Sequence, residues 1–362
     1  MQEIRINEAD EGQRLNKFLG KYLDAAPQSF LYKMLRKKNI KWNDKKASGG
    51  EILSTGDRIQ IYMTDETIAK FRKDGRVPVL IGKEPSLQLK YPLSGITDTE
   101  CIPKKKLDIF KDIEILYEDP DILILNKPAG ILSQKAKADD YSLNEQIVDY
   151  YHTRDSFNPL FTPSVCNRLD RNTSGIILAG MSLKGSRMLS HMLKVRSLEK
   201  YYLTIVSGNI TDTSTIKGFL AKKASHNQVI IYSSLKEAHI NGIEKPAFIE
   251  TRYEPLAHGH FQNMEFTLLK VELVTGKTHQ IRAHLCSAGH PIIGDGKYGL
   301  KSVNSVFKSE FGLKHQLLHA YQIAFPKQEE GLPETLSGQV IEAALPKQFA
   351  KIKDRIFPQM PL

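Results

Sequence analysis

The stretch NRLDRNTSG, residues 167–175, sets one carboxylate, Asp170, between two guanidinium side chains, Arg168 and Arg171, just before an apolar run. A carboxylate held ionised and aimed by a nearby cation can serve as nucleophile or general base. The same residues also read as a turn in which Asp170 or Asn172 caps backbone amides and Gly175 allows the bend. Residue types and spacing leave both readings open. Two other fragments mimic nucleotide sites, TGKT at Thr275–Thr278 and NKPA at Asn126–Ala129. The first lacks the glycine a phosphate-wrapping P-loop needs five residues before Gly276, since Val271 stands there. The second has Ala129 where a guanine-reading aspartate belongs. His279, His284, Cys286 and His290 cluster in sequence, but a five-residue step puts the first two on different faces of a helix, unlike a zinc-binding i, i+4 pair. No metal site is expected.

NRLDRNTSG has company. YEDPDILILNKPAG precedes it, and KYYLTIVSG (Lys200–Gly208), TGKTHQIRAHLCSAGHPIIGDGKYG (Thr275–Gly299) and LLHAYQIAFP (Leu317–Pro326) follow in that order. Together these motifs resemble the RluA family of pseudouridine synthases, whose pattern is HRLDxxTSG, KxYxxxVxG, TGRTHQIRxHxxxxGHPIxGDxxYG and an LHA strand. RKKNIKWNDKKA and KPAFIETRYEPL make the chain most similar to the RluC-like branch, which acts on large-subunit ribosomal RNA. The resemblance implies Asp170 as catalytic aspartate, Tyr202 as active-site tyrosine and Arg282 as the arginine paired with the aspartate. It further implies substrate contacts from Arg168, Arg171, Lys277, His279 and Gln280, with Arg168 filling the space of an extruded base and Arg171 meeting phosphate. Two positions depart from the pattern. Asn167 stands for the usual histidine and Lys277 for the usual arginine; a lysine keeps the charge but loses the bidentate fork.

The implied reaction breaks the N1–C1′ bond of uridine and rejoins the base through C5, with no redox change and no cofactor. The substrate base must first leave its stack, at a cost of roughly a few kcal/mol. The expected partner is structured RNA, 23S ribosomal RNA first and transfer RNA as the alternative. A non-catalytic RNA-binding or ribosome-assembly factor on the same fold is the rival reading; Asp170, Tyr202 and Arg282 all being present favours the enzyme.

The elements that would position these residues are legible in outline. RLNKFLGKYL and SFLYKMLRKK carry apolar residues at helical spacing, the second capped by Ser29, and GDRIQIYM alternates as a strand. Lys33, Arg36, Lys37, Lys38, Lys41, Lys45 and Lys46 crowd the second helix and the following turn against one acid, Asp44. Helix, basic-ended helix, a short strand with Trp42 and Asn43, then Gly56-Asp57 and a last strand resemble the S4 RNA-binding module, whose basic face lies on RNA phosphates. Pro78, Pro85, Pro92, Pro103 and Lys104–Lys106 mark an irregular linker. Beyond it, DILILNK, GIILAG, YYLTIVSG and the alternating MEFTLLKVELVTG read as strands, SLKGSRMLSHMLKV as an amphipathic helix, and THQIRAHLCSAG as a helix opened by Thr278 and closed at Gly289. Strands often follow one another without a helix. The expected fold is therefore α+β: an S4-like domain at 1–63, a linker at 64–110, and a catalytic domain at 111–362 with a mixed, largely antiparallel sheet flanked by helices.

Bulk composition agrees. The 362 residues are 41% hydrophobic and 8% aromatic, enough for a real core. Lys+Arg of 51 against Asp+Glu of 41 leaves a net charge of +10, which favours a polyanionic partner. No stretch approaches the roughly 20 apolar residues of a membrane span, and MQEIRINEADEG lacks a signal-peptide pattern, so a cytoplasmic location is expected, while the family resemblance implies a monomer. Cys101, Cys166 and Cys286 are odd in number and far apart, the pattern of reduced thiols.

Overall fold

In the computed structural model, residues 2–6, 10–72, 109–111, 113–154, 158, 161–223 and 228–360 are described. Among them, those within 1–106, 151–162 and 182–184 form one compact unit, and those within 107–150, 163–181 and 185–362 another.

The first unit contains β1 (Gln2–Arg5), α1 (Leu15–Tyr22), α2 (Gln28–Arg36), β2 (Ile40–Trp42), β3 (Lys45–Lys46), β4 (Arg58–Ile61) and α3 (Asp65–Lys70). The strands pair in the order β1-β4-β2-β3. Leu15, Phe18, Leu19 and Tyr22 of α1 and Leu31, Met34 and Leu35 of α2 close over Ile40, Ile59 and Ile61 of the sheet. α2 begins two residues earlier than the serine cap implies: Pro27 is the N-cap and no side chain caps the helix. The fixed φ of proline sets the entry without help from Ser29. The expected linker also starts later than residue 64, because α3 forms and Ile68 joins the same core, with Thr64 capping the helix through the amide of Thr67. Residues 73–108 of that linker, with its four prolines and the Lys104–Lys106 run, lie outside the described residues.

Six of the seven cations, Lys33, Arg36, Lys37, Lys38, Lys45 and Lys46, are exposed, and Lys41 is half-buried with its ammonium 5.0 Å from the Tyr62 ring centre. Asp44 does not neutralise them. It bonds Arg58 and Gln60 instead.

The remaining elements are β5 (Glu114–Glu118), β6 (Ile122–Lys127), α4 (Leu143–Tyr151), β7 (Ser164–Val165), β8 (Ser174–Gly180), α5 (Leu183–Val195), β9 (Glu199–Ser207), β10 (Ser214–Lys223) and β11 (Gln228–Tyr232). They continue with α6 (Leu235–Ile240), β12 (Ala247–Phe261), β13 (Met264–Leu273), α7 (Gln280–Ser287), α8 (Lys301–Phe311), β14 (Leu318–Ala324), β15 (Val340–Glu342) and α9 (Lys347–Ile356). One sheet of eleven strands runs β11-β10-β12-β13-β9-β14-β8-β6-β5, with β15 beside β14 and β7 beside β8. Every pairing is antiparallel except β14 with β8, so the fold is α+β around a mixed, largely antiparallel sheet.

Helices cover one face of the sheet near its middle, the face opposite the one that carries Tyr202 and Lys127. Met188, Leu189 and Met192 of α5 pack on Ile122, Ile124, Ile176 and Leu178, while Val303 and Phe307 of α8 and Phe349 and Ile352 of α9 pack on Leu203, Ile205, Phe266 and Leu268. β13 departs from the half-buried alternation expected of it. Phe266, Thr267, Leu268 and Leu269 are buried in succession, and the Thr267 hydroxyl finds partners in the Gly208 carbonyl and the Ile210 amide.

A single cross-strand rung brings together elements far apart in sequence. Val271 of β13 pairs with Tyr202 of β9, Tyr202 with Ala320 of β14, Ala320 with Gly175 of β8, and Gly175 with Lys127 of β6. Residues paired directly across strands share one face of a sheet. At Gly175 the strands come too close for any other residue: φ is +114°, and a β-carbon would lie 2.1 Å from the Ala320 carbonyl oxygen.

Candidate active site

The loop ahead of β8 carries Asp170, and it is fastened at every step. Asn167 donates to the Ile176 carbonyl at 3.1 Å and accepts from the Leu178 amide at 2.7 Å. An amide with one donor and one acceptor suits a neighbouring strand's backbone, so Asn167, where the pattern has histidine, anchors the loop to β8. The Ser133 hydroxyl clamps Leu169, donating to its carbonyl at 2.8 Å and accepting from its amide at 3.0 Å. The amide of Thr173 turns back to the Asp170 carbonyl at 3.1 Å, and Gln316 donates to the Thr173 hydroxyl at 3.2 Å.

Beneath the loop sits Lys127, fully buried. Its three ammonium protons match three carbonyl oxygens, those of Pro128 and Ile131 at 2.9 Å and of Arg171 at 3.2 Å. Burial pulls its pKa down to about 7, against the attraction of the Asp170 charge. The lysine therefore pins the backbone on the C-terminal side of the aspartate.

The opposite wall comes from the segment after β13. The expected helix does form, but it starts at Gln280 rather than Thr278, because His279 adopts a left-handed backbone conformation with φ of 57°. That turn faces the imidazole towards the aspartate. Arg282, one turn into α7, is buried; its Nη1 donates to Asp170 Oδ2 at 2.8 Å. Its other edge grips Asp295, with Nε to Oδ2 at 2.6 Å and Nη2 to Oδ1 at 2.9 Å. The bidentate fork fixes the guanidinium plane, and of the three N–H groups it leaves, one on Nη1 is thereby aimed at Asp170.

Burial alone would raise the Asp295 carboxyl. Arg282 and the amides of Lys297 and Tyr298 outweigh it and hold the group below the usual range. Burial would likewise lower the arginine, and the two carboxylates push it above its ordinary value instead. Both partners are thus charged. Of Asp170 itself, 24% of the side-chain surface stays open, and Oδ1 has no hydrogen-bond partner among the described residues. One oxygen is anchored and the other is available.

Two more groups face the carboxylate. His279 Nε2 is 3.9 Å from Asp170 Oδ2, and burial keeps the imidazole below its ordinary pKa despite that charge. Tyr202 is buried in the rung, and burial followed by the Asp170 charge raises its phenol above the ordinary value, so the hydroxyl is protonated at neutral pH. Its oxygen has no hydrogen-bond partner among the described residues, yet it is not sealed from solvent.

Three of the expected contact residues lie at the surface. Arg168, Arg171 and Lys277 are exposed, and none is ion-paired with Asp170 among the described residues. Gln280 is corrected outright. Its side chain is buried, accepting from Thr275 Oγ1 and the Lys277 amide and donating to the Glu250 carbonyl and Thr251 Oγ1. With both ends of the amide engaged it shapes the loop and has nothing left for a substrate. Asp295, Lys127 and Ser133 were missed by sequence reasoning. The GD of GHPIIGDGKYG is the available signal for Asp295, whereas NKPAG reads as a nucleotide mimic and as part of the motif before NRLDRNTSG, and neither reading points to a buried lysine.

Residues 121–287, which span the Asp170 loop, Tyr202 and Arg282, match the RNA pseudouridylate synthase family. The chain is also 29% identical to the Ribosomal large subunit pseudouridine synthase C of Haemophilus influenzae, over 98% of this chain and 94% of that one. The proteins of the same name from Salmonella typhi and Vibrio vulnificus are 29% and 27% identical, over 95% and 97% of this chain and 93% and 95% of theirs. Residues 121–287 are thus a pseudouridine synthase domain. The chain's fold is also that of a solved family domain, Human RNA Pseudouridylate Synthase Domain Containing 4, with a TM-score of 0.53 at 18% identity over 68% of this chain and 94% of that one. As a pseudouridine synthase, the chain is an isomerase.

Proposed function

We propose that this pseudouridine synthase converts uridine to pseudouridine in large-subunit ribosomal RNA, with Asp170 as catalytic carboxylate, Arg282 as its anchor and Tyr202 as the phenol beside the base. The observation that carries the reading is the 2.8 Å bond from Arg282 to Asp170 Oδ2, which leaves Oδ1 free. In the isomerisation N1–C1′ breaks, C5–C1′ forms, C5 loses a proton and N1 gains one. Addition of a carboxylate to C1′, addition to C6, and removal of a sugar proton all demand an ionised, aimed oxygen, and Oδ1 meets that demand. Full-length similarity to proteins named large-subunit synthases supports the choice of RNA.

The target uridine must be extruded from folded RNA before Oδ1 can reach it. Arg168, exposed two residues from Asp170, takes the space the base leaves, and Arg171 and Lys277 meet phosphate. Residues 1–63 act as an S4-like module whose six exposed cations hold the RNA backbone. Mapping pseudouridines on ribosomal RNA from cells with and without this protein tests the reading: at least one large-subunit site disappears with the protein and returns when it is supplied. Unchanged large-subunit RNA with a lost transfer-RNA site would move the substrate, and no lost site would end the proposal.

Tyr202→Phe removes only the hydroxyl. Groups that move protons in a transition state contribute about 10²–10⁴-fold, so kcat is expected to fall by about a hundredfold or more with KM little changed. Steady-state rates on a ribosomal RNA fragment containing the mapped site check this, and normal turnover would take the phenol out of the chemistry.

A further inference from the structure

Tyr298 lies outside the groups assigned above, yet three of its contacts converge on them. Its hydroxyl is 3.0 Å from His279 Nδ1, its ring meets the His279 ring edge-on at 5.7 Å, and the Arg282 guanidinium carbon stands 5.3 Å from its centre. On the far side, the Val229 amide of edge strand β11 donates to the Tyr298 oxygen at 2.9 Å, and Gln228 ties the same loop by donating to the Lys297 carbonyl at 3.2 Å.

Direction matters along this chain of bonds. A backbone N–H can only donate, so the Val229 amide occupies an acceptor site of the phenol oxygen. The phenol proton must then find an acceptor of its own. Among the described residues the one within reach is His279 Nδ1. A neutral imidazole accepting at Nδ1 carries its proton on Nε2, and Nε2 is the nitrogen 3.9 Å from Asp170 Oδ2.

We propose that Tyr298 is a positioning residue that fixes the Nε2–H tautomer of His279, so that an N–H rather than a lone pair faces the catalytic carboxylate. With the tautomer reversed, a ring lone pair would confront the carboxylate oxygen. That repulsion would turn Oδ2 away from Arg282 and swing Oδ1 off its line to the base. The inference rests on the catalytic reading of Asp170 for its consequence, although the tautomer itself does not.

Two measurements separate these. Long-range proton–nitrogen spectra of the full chain report which ring nitrogen of His279 carries the proton: Nε2 in the native protein, and a mixture or Nδ1 in Tyr298→Phe. Turnover on large-subunit ribosomal RNA isolated from cells lacking the protein is expected to fall about tenfold in kcat for Tyr298→Phe, the loss of one polar contact, with KM within about twofold. In a His279→Asn background, which tolerates the left-handed backbone, the same change should cost nothing more. A native ring protonated at Nδ1, an unaltered kcat in Tyr298→Phe, or losses that simply add would each overturn the proposal. Should Tyr298→Phe not fold, the native spectrum alone decides the tautomer. Should the native protein form no pseudouridine on any RNA, the functional reading fails while the tautomer assignment still stands or falls on the spectrum.

Discussion

Asp170→Asn is expected to lower kcat for pseudouridine formation by on the order of 10⁴-fold or more while leaving RNA affinity within about threefold. The substitution keeps size and shape and removes the charge. An amide has no anionic oxygen to add to C1′ or C6 or to take a proton, and it turns an N–H towards whichever neighbour meets the nitrogen. The proposed RNA contacts are exposed cations elsewhere, so binding should survive. Single-turnover assays alongside filter binding make the comparison, and a variant with substantial turnover would remove the carboxylate from the mechanism.

Arg282→Met is expected to damage stability and activity together, for separable reasons. Asp295 is wholly buried, and two of its hydrogen bonds come from that guanidinium. Removing one member of a buried pair strands the other, at about 3–5 kcal/mol. At about 2–4 °C per kcal/mol for a unit of this size, the melting temperature should fall by roughly 6–20 °C. Asp170 Oδ2 loses its anchor at the same time, and misplacement of a reacting oxygen by about 1 Å costs on the order of a hundredfold. Adding Asp295→Asn should return much of the stability, because the stranded charge is gone, and none of the turnover. Recovery of turnover in the double variant would show that Arg282 serves only Asp295.

Much of the site could be read before any coordinates. Asp170, Tyr202 and Arg282 lie inside ordered motifs, and the structure brings all three to one place. Gln280 sits in the same motif, which implies a substrate contact for it too, but its four hydrogen bonds lie within the chain. Motif membership could not distinguish the two cases, because both residues open α7 and differ only in what their side chains meet. Asp295, the residue that orients Arg282, was visible as a letter in GDGKYG and invisible as a partner.

The sequence by itself determined what depends on near neighbours. Apolar spacing marked the strands and several of the helices, the positive charge pointed to a polyanion, and the order of motifs named the chemistry. Helix starts went astray where the deciding feature was backbone conformation, as at His279, where a left-handed residue delays α7 and faces the imidazole inward. Only the tertiary structure decided the rung from Val271 through Tyr202, Ala320 and Gly175 to Lys127, and with it the joining of residues 170 and 282, which are 112 positions apart. Strand pairing and side-chain packing act through space, and periodicity along a chain carries no record of which distant residues will meet.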